Sequence, residues 1–298
     1  MGCDMNLTRR ELLATTATTA SALEARPVLA AQFYVWTQHF QSRKMTLAEG
    51  VEEALAATRR AGFKRLELMS SFFQGAVREK TLVALKQHGL EVPIVYNGSP
   101  MHQPALAEKS IADTLQLAGT VKSAGARIIN FNPSPKPKRE RKSDQELDTQ
   151  ARYVNQLAAE LDQRGLRLHL HHHDPEMAEN AREWRHLLAS TNPKLVSLCL
   201  DIHWVYRGQQ DPMKLLEESG ARLACLHLRN SKQGVWTEAF EDGDLDYSKV
   251  AGYLKRSRFA GFLVVELAYE KSTAITRPLE EDLRLSRLYA EKVFGVGS

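Results

Sequence analysis

One short pattern recurs along the chain: an amphipathic stretch ends at a glycine, and an apolar run follows directly. The pattern occurs six times, in the segments 62–68, 89–96, 125–132, 165–173, 220–229 and 261–267. Glycine readily adopts the left-handed conformation that ends a helix, and an apolar run of about four to eight residues is typical of a buried strand. The repeat therefore predicts alternating helices and strands.

Two further strands, over residues 32–37 and 195–201, complete a predicted set of eight. The clearest helix start is the capping box formed by Ser143 and Glu146, ahead of a helix that runs to Gln163. Seven other helices are predicted over 46–61, 76–88, 106–124, 177–190, 212–219, 247–257 and 279–293. Eight strands that alternate with eight helices are typical of an α/β protein with a single (β/α)8 TIM barrel, which we expect over residues 31–298. A doubly wound open sheet is the alternative, but no glycine-rich nucleotide-binding fingerprint follows any strand.

Residues 1–30 are set apart from this barrel. Residues 7–13, which include Arg9 and Arg10, look like a twin-arginine export signal, and an Ala/Thr-rich stretch follows them. A disordered tail with two chance arginines is the alternative. The two interpretations predict a periplasmic and a cytoplasmic protein, respectively.

Composition excludes several classes of protein. The sequence contains no run of about 20 apolar residues, so membrane insertion is not expected. The net charge of +4 comes from 40 basic and 36 acidic residues, and the one dense basic stretch, 136–142, is too short for a nucleic-acid interface. The three cysteines form no paired motif, so neither a disulfide scaffold nor a thiolate metal site is expected. Assembly into a homo-oligomer is left open.

Polar residues end several of the predicted strands. Asp201, His227 and Glu266 each lie on the strand face opposite the aliphatic residues that should pack against the helices. That face looks into the barrel, so the three side chains should converge at one mouth. Active sites of TIM barrels lie at this carboxyl end of the strands.

The neighbouring strands supply more polar groups to the same mouth. His169, His171 and His173 share one face of the fifth strand, and Glu67 and Asn132 belong to the second and fourth strands. Imidazoles and carboxylates together predict a site for one divalent metal ion, because mixed nitrogen and oxygen ligands suit transition metals better than calcium. Manganese is the expected ion, with zinc, cobalt, iron or magnesium as alternatives. His169 lies deeper and is expected to be a core histidine.

Five segments in order carry a resemblance to a known family: LHHHDPEM at 170–177, LDIHW at 200–204, LHLRN at 226–230, EDGDLDY at 241–247 and VVE at 264–266. Together they resemble the xylose isomerase-like TIM-barrel superfamily of sugar phosphate isomerases and epimerases, over about residues 31–295. The resemblance implies that the metal ligands are His171, Asp201, His227 and Glu266. It also places His173 beside the metal, as a substrate contact or an alternative ligand.

Two departures from the family pattern narrow the expected chemistry. The epimerases carry a proton-transferring glutamate where this chain has His171, so a symmetric pair of glutamates is not implied. The endonucleases of the superfamily bind further metals through histidines, whereas this chain has Trp204 at one such position and no such pair at 235–237. A three-metal phosphodiesterase site is therefore not expected.

These features predict a metal-dependent isomerase or epimerase that acts on a sugar or keto-sugar through a metal-stabilised enediolate. Glu266 is the expected base and His173 its acid–base partner. The residues expected to bind substrate are Arg229, Asn230, Trp204, Trp236, Glu238, Glu67, Asn132 and Glu176. A metal-dependent lyase or dehydratase acting on a keto-sugar, keto-glycoside or inosose is the alternative, and a sugar-binding barrel without activity is a third hypothesis.

Overall fold

The computed structural model describes residues 26–297, and the twin-arginine-like segment lies outside them. Its centre is a closed barrel of eight parallel strands in the order β1-β10-β7-β6-β5-β4-β3-β2. The barrel strands are β1 (Val28–Gln32), β2 (Arg65–Met69), β3 (Glu91–Ser99), β4 (Ile128–Pro133), β5 (Arg167–Leu170), β6 (Val196–Asp201), β7 (Leu223–Leu228) and β10 (Phe262–Val265). A two-stranded hairpin, β8 (Ser231–Lys232) and β9 (Val235–Trp236), lies between β7 and β10 in the chain. The prediction of a TIM barrel is confirmed.

Helices connect the strands and surround the barrel. They are α1 (Tyr34–Ser42), α2 (Leu47–Arg60), α3 (Val77–His88), α4 (Pro104–Ser123), α5 (Asp144–Gln163), α6 (Ala178–Ser190), α7 (Ile202–Arg207), α8 (Pro212–Ser219), α9 (Tyr247–Arg256) and α10 (Leu279–Phe294). The predicted capping box of α5 is confirmed, with Ser143 and Glu146 each accepting a hydrogen bond from the other's backbone N–H. In the described part of the chain, no helix is long and apolar enough to cross a membrane.

The start of the barrel differs from the prediction. The strand predicted over 32–37 is wrong, because β1 ends at Gln32 and residues 34–42 form α1. Phe33 and Val35 are two residues apart, as on one face of a strand. Trp36 and Phe40 are both buried, however, and lie four residues apart. That spacing belongs to a helix face. The short helix α7 was also not predicted from the sequence.

The recurring glycines act in two ways. Five of the six have φ between +49° and +104°, a positive range that glycine adopts more readily than other residues. Gly261 is different, because a Cβ there would lie 2.1 Å from the carbonyl oxygen of Ala224. The close approach of two backbones therefore explains the sixth glycine.

The strand faces divide as the alternation predicts. Cys199 and Cys225 belong with Val264 to a small apolar cluster that is separate from the large core between barrel and helices. Cys199 pairs in register with Cys225, and Asp201 pairs in register with His227. The inner apolar layer therefore lies two residues before the polar layer along each of these strands, and the polar layer is at the carboxyl end.

Candidate active site

Four buried side chains converge at the carboxyl end of the barrel: His171, Asp201, His227 and Glu266. Each offers one nitrogen or oxygen atom, and these four atoms all lie within 4.8 Å of one another. His171 directly follows β5, Asp201 ends β6, His227 lies in β7 and Glu266 directly follows β10. The ligand set implied by the family resemblance is thus one compact cluster.

His171 has the surroundings of a metal ligand. Its ring is buried, and neither ring nitrogen has a hydrogen-bond partner among residues 26–297. An unsatisfied buried polar group costs about 1–3 kcal/mol of stability. Two such nitrogens on one ring therefore indicate that a ligand binds there. Burial, with the nearby imidazole of His227, lowers the pKa of His171 well below its ordinary value. The ring is therefore neutral at pH 7 and has a lone pair available for a cation.

The imidazole of His227 lies between two carboxylates. Nδ1 lies 2.7 Å from Glu266 Oε2, and Nε2 lies 2.9 Å from Glu67 Oε2. Burial opposes protonation of His227, but the two carboxylates raise its pKa well above the ordinary value. Glu67 is itself completely buried and also accepts a hydrogen bond from Asn130 at 2.9 Å, and burial raises its pKa to about 7.

Arg229 supplies positive charge between the other two acidic side chains. Its Nη2 donates to Asp201 Oδ2 at 2.8 Å and to Glu266 Oε2 at 2.6 Å. Burial raises the pKa of Asp201 to about 6, against the opposing effect of Arg229. Burial also works against ionisation of Glu266, but Arg229 and His227 hold its pKa below the ordinary range. Glu266 is therefore ionised at neutral pH.

His173 lies beside the cluster. Its ring centroid is 5.0 Å from that of His171 and 5.5 Å from that of Trp204. Burial lowers the pKa of His173 to about 4, so the ring is neutral at pH 7 and can accept a proton. Tyr96 packs edge-on against His171, with ring centroids 5.5 Å apart, and was missed from the sequence. The signal for it was the alternation of β3, because Ile94 lies in the inner apolar cluster and Tyr96 follows two residues later.

Two predicted substrate residues hold the backbone of residues 171–173. Asn132 Nδ2 donates to the carbonyl oxygen of His171 at 3.2 Å and approaches Glu176 Oε1 at 3.4 Å. Glu176 Oε2 accepts the backbone N–H of His173 at 2.9 Å. Burial raises the pKa of Glu176 to about 7. Both side chains therefore hold in place the backbone of residues 171–173, which brings His171 and His173 into the site.

Two tryptophans flank Arg229. Trp204 and Trp236 pack nearly perpendicular to each other, with ring centroids 5.2 Å apart. The Arg229 guanidinium carbon lies 5.2 Å from the Trp204 centroid and 4.8 Å from the Trp236 centroid. Together with His173 they form an aromatic wall on one side of the cluster.

Asn230 and Glu238 contact loops instead of the cluster. Asn230 Nδ2 donates to the carbonyl oxygens of Glu241 and Leu245, at 2.9 and 3.0 Å. Glu238 accepts from the backbone and hydroxyl of Thr276, both at 2.6 Å. These bonds direct both side chains to the segments that border the barrel mouth.

The remaining histidines near the mouth support other residues. His172 Nε2 accepts the backbone N–H of Asp201 at 3.1 Å, and the Asp201 side chain in turn accepts the N–H of Trp204 at 2.8 Å at the start of α7. His203 accepts the indole N–H of Trp236 at 3.2 Å. Asp201 therefore combines a helix-capping bond with its place in the cluster.

Comparison with known proteins gives the family. Residues 55–289 match the family model described as xylose isomerase-like TIM barrel. The chain belongs to this family. The resemblance of its strand ends is therefore confirmed.

Individual members differ in their named activities. An inosose dehydratase of Clostridium perfringens is 29% identical over 169 residues, which cover 50% of this chain and 56% of that protein. The chain thus spans about half the length of the curated relatives it matches. Among solved structures, D-psicose 3-epimerase from Clostridium cellulolyticum has a TM-score of 0.71 at 13% identity, covering 89% of this chain and 99% of that one. A sugar phosphate isomerase/epimerase from Parabacteroides distasonis has a TM-score of 0.69 at 16% identity, covering 93% and 97%. At identities of 13% and 16%, the two solved structures show similarity of fold alone.

Proposed function

We propose that the protein is a metal-dependent isomerase or epimerase that acts on a sugar or keto-sugar through an enediolate. The observation that carries the proposal is the cluster of His171, Asp201, His227 and Glu266, in which both ring nitrogens of His171 are buried without a partner in the described chain. Two imidazoles and two carboxylates suit a divalent transition metal, and manganese is the ion we propose. When bound, such an ion polarises a substrate carbonyl and acidifies the neighbouring C–H bond.

Glu266 and His173 are the proposed proton-transfer groups. Glu266 is held ionised by Arg229 and His227, which both contact Oε2, so Oε1 is the oxygen left to accept a proton from carbon. His173 is neutral at pH 7 and lies at the edge of the cluster, where it can take a proton from a substrate hydroxyl or from solvent and then deliver that proton to the enediolate. Reprotonation at the same carbon on the other face gives an epimer, and reprotonation at the neighbouring carbon gives an isomer.

The aromatic wall and Arg229 are the proposed substrate contacts. Trp204 and Trp236 offer apolar faces for the C–H side of a sugar ring, and the guanidinium offers donors to its oxygens. Asn230 and Glu238 contribute indirectly, because they fix the loops that border the mouth. The partner that fits this site is a small sugar.

A dehydratase or lyase is the second candidate function. The specific observation in its favour is the 29% identity to an inosose dehydratase over half of the chain. Removal of a proton beside a carbonyl is the first step of both reactions, and expulsion of a β-hydroxyl instead of reprotonation gives elimination. The cluster of ligands is compatible with either outcome.

Incubation of the manganese-loaded protein with a panel of ketoses, keto-glycosides and inososes in deuterated water tests the proposal. Deuterium at the carbon next to the carbonyl, detected by NMR, supports an isomerase or epimerase, and an absorbing enone with loss of water supports the dehydratase. Glu266→Gln should abolish either reaction. Glu218→Gln, which removes a carboxylate paired with Arg185 on the helical shell, serves as the control. Absence of exchange and elimination across the panel would refute the enzymatic proposal.

A further inference from the structure

The two nitrogens of His227 face two different layers of the barrel. Nδ1 points to Glu266 in the mouth cluster, whereas Nε2 points to Glu67 and lies 3.5 Å from Asn130 Nδ2. A histidine that binds a metal uses one nitrogen, and the hydrogen bond of the other nitrogen decides which one is available. The contacts on Nε2 therefore decide whether the Nδ1 lone pair can reach the cluster.

Glu67 is placed to accept the Nε2 proton. Asn130 Nδ2 is a donor and cannot accept from the imidazole, so the acceptor at hydrogen-bond distance is Glu67 Oε2, at 2.9 Å. Asn130 donates to the same oxygen, also at 2.9 Å, and thereby fixes its position. Glu67 and His227 come from β2 and β7, so the closed barrel is what brings the pair together.

Substrate has no access to this carboxylate. The side chain of Glu67 is 0% exposed, and the imidazole of His227 separates it from Glu266. Burial of a carboxylate is costly unless it is paired, and here His227 and Asn130 contact Glu67 Oε2. A group with these contacts acts on His227 and not on the sugar.

Resting on the metal site proposed above, we infer that Glu67 is a positioning residue that holds the His227 proton on Nε2 and directs the Nδ1 lone pair to the metal. The ring is thereby held in one orientation before the ion binds, and it keeps the Nε2 proton when the ion takes the place of a proton on Nδ1. Partners of this kind are worth about 10–100-fold in metal affinity.

Metal titration of the full chain and of three variants tests the inference. Glu67→Met removes the acceptor at similar volume and should weaken manganese or zinc binding about 10–100-fold. Glu67→Gln keeps a neutral acceptor oxygen in place and should recover part of this loss. Asp282→Asn removes a different fully buried acidic side chain, which is paired with Arg277 away from the cluster, and should leave the affinity unchanged.

A second readout reports the tautomer directly. In the zinc-loaded wild type, the ¹⁵N NMR shifts of His227, assigned with a His227→Gln variant, should show the proton on Nε2. Glu67→Met should lose this single tautomer while circular dichroism shows a folded barrel. If Glu67→Met does not fold, Glu67→Gln should still show a partial loss of affinity and a weakened Nε2 hydrogen bond.

Three results would overturn the inference. The first is wild-type metal affinity in both Glu67 variants, and the second is a proton on Nδ1 in the loaded wild type. The third is a sulfur-to-cobalt charge-transfer band that disappears in Cys225→Ser, because Glu67, Cys225 and His227 form another possible ligand set and Glu67 would then be a ligand. A wild type that binds no metal refutes the proposed function itself, and the two failures are therefore distinguishable.

Discussion

Replacement of Arg229 by methionine should destabilise the metal-free protein strongly. Arg229 is 3% exposed and bridges Asp201 and Glu266 through one nitrogen, at 2.8 and 2.6 Å. Removal of one partner from a buried ion pair costs about 3–5 kcal/mol, because the remaining charges are left uncompensated. For a domain of this size, that loss corresponds to a fall in Tm on the order of 10 °C. Calorimetry of chelator-treated protein measures it.

Added metal should restore the variant more than it stabilises the wild type. A ligand at about 1,000 times its Kd adds about 4 kcal/mol of stability, and in Arg229→Met the ion would replace the missing positive charge. Arg207→Met is the control, because the Arg207–Glu270 pair is 28% and 27% exposed and such pairs contribute about 0–1 kcal/mol. A loss in Arg229→Met no larger than in the control, or an equal gain from manganese in variant and wild type, would refute this reasoning.

Two further predictions concern the stability of the shell. Gly243→Ala should cost about 1–3 kcal/mol in urea unfolding, because its Cβ would lie 2.2 Å from the carbonyl oxygen of Ser231; an unchanged midpoint contradicts this. Burial raises the pKa of Asp282 to about 7, so its ionisation is penalised in the folded state. Wild type should therefore lose stability relative to Asp282→Asn as the pH rises from about 4 to above 7. A constant difference across that range would show that Asp282 ionises normally.

Strand alternation was sufficient to predict the barrel and three of the four cluster residues, for a simple geometric reason. Side chains alternate along a strand, and the carboxyl ends of parallel strands meet at one edge, so the sequence alone predicts that Asp201, His227 and Glu266 lie together. Register then brings Asp201 opposite His227. His171 needed the family resemblance, because alternation alone did not distinguish it from His173.

Other features depend on contacts that no local pattern encodes. Glu67 contacts His227, which lies 160 positions away in the sequence. The His227 ring covers the Glu67 carboxylate, so this side chain is buried instead of facing substrate. Asn230 and Glu238 were predicted to bind substrate, but their hydrogen bonds go to loops whose conformations alternation does not specify. At the start of the barrel, packing of Trp36 in a helix prevails over a strand-like local pattern.

Elemental analysis of protein purified without chelators tests the central claim most directly. Wild type, Asp201→Ala and His227→Ala are compared, with Glu218→Gln as the folded control. The account predicts close to one transition-metal ion per chain in wild type and control, and loss of that ion in both cluster variants. A metal-free wild type that also fails to take up added manganese or zinc would contradict it.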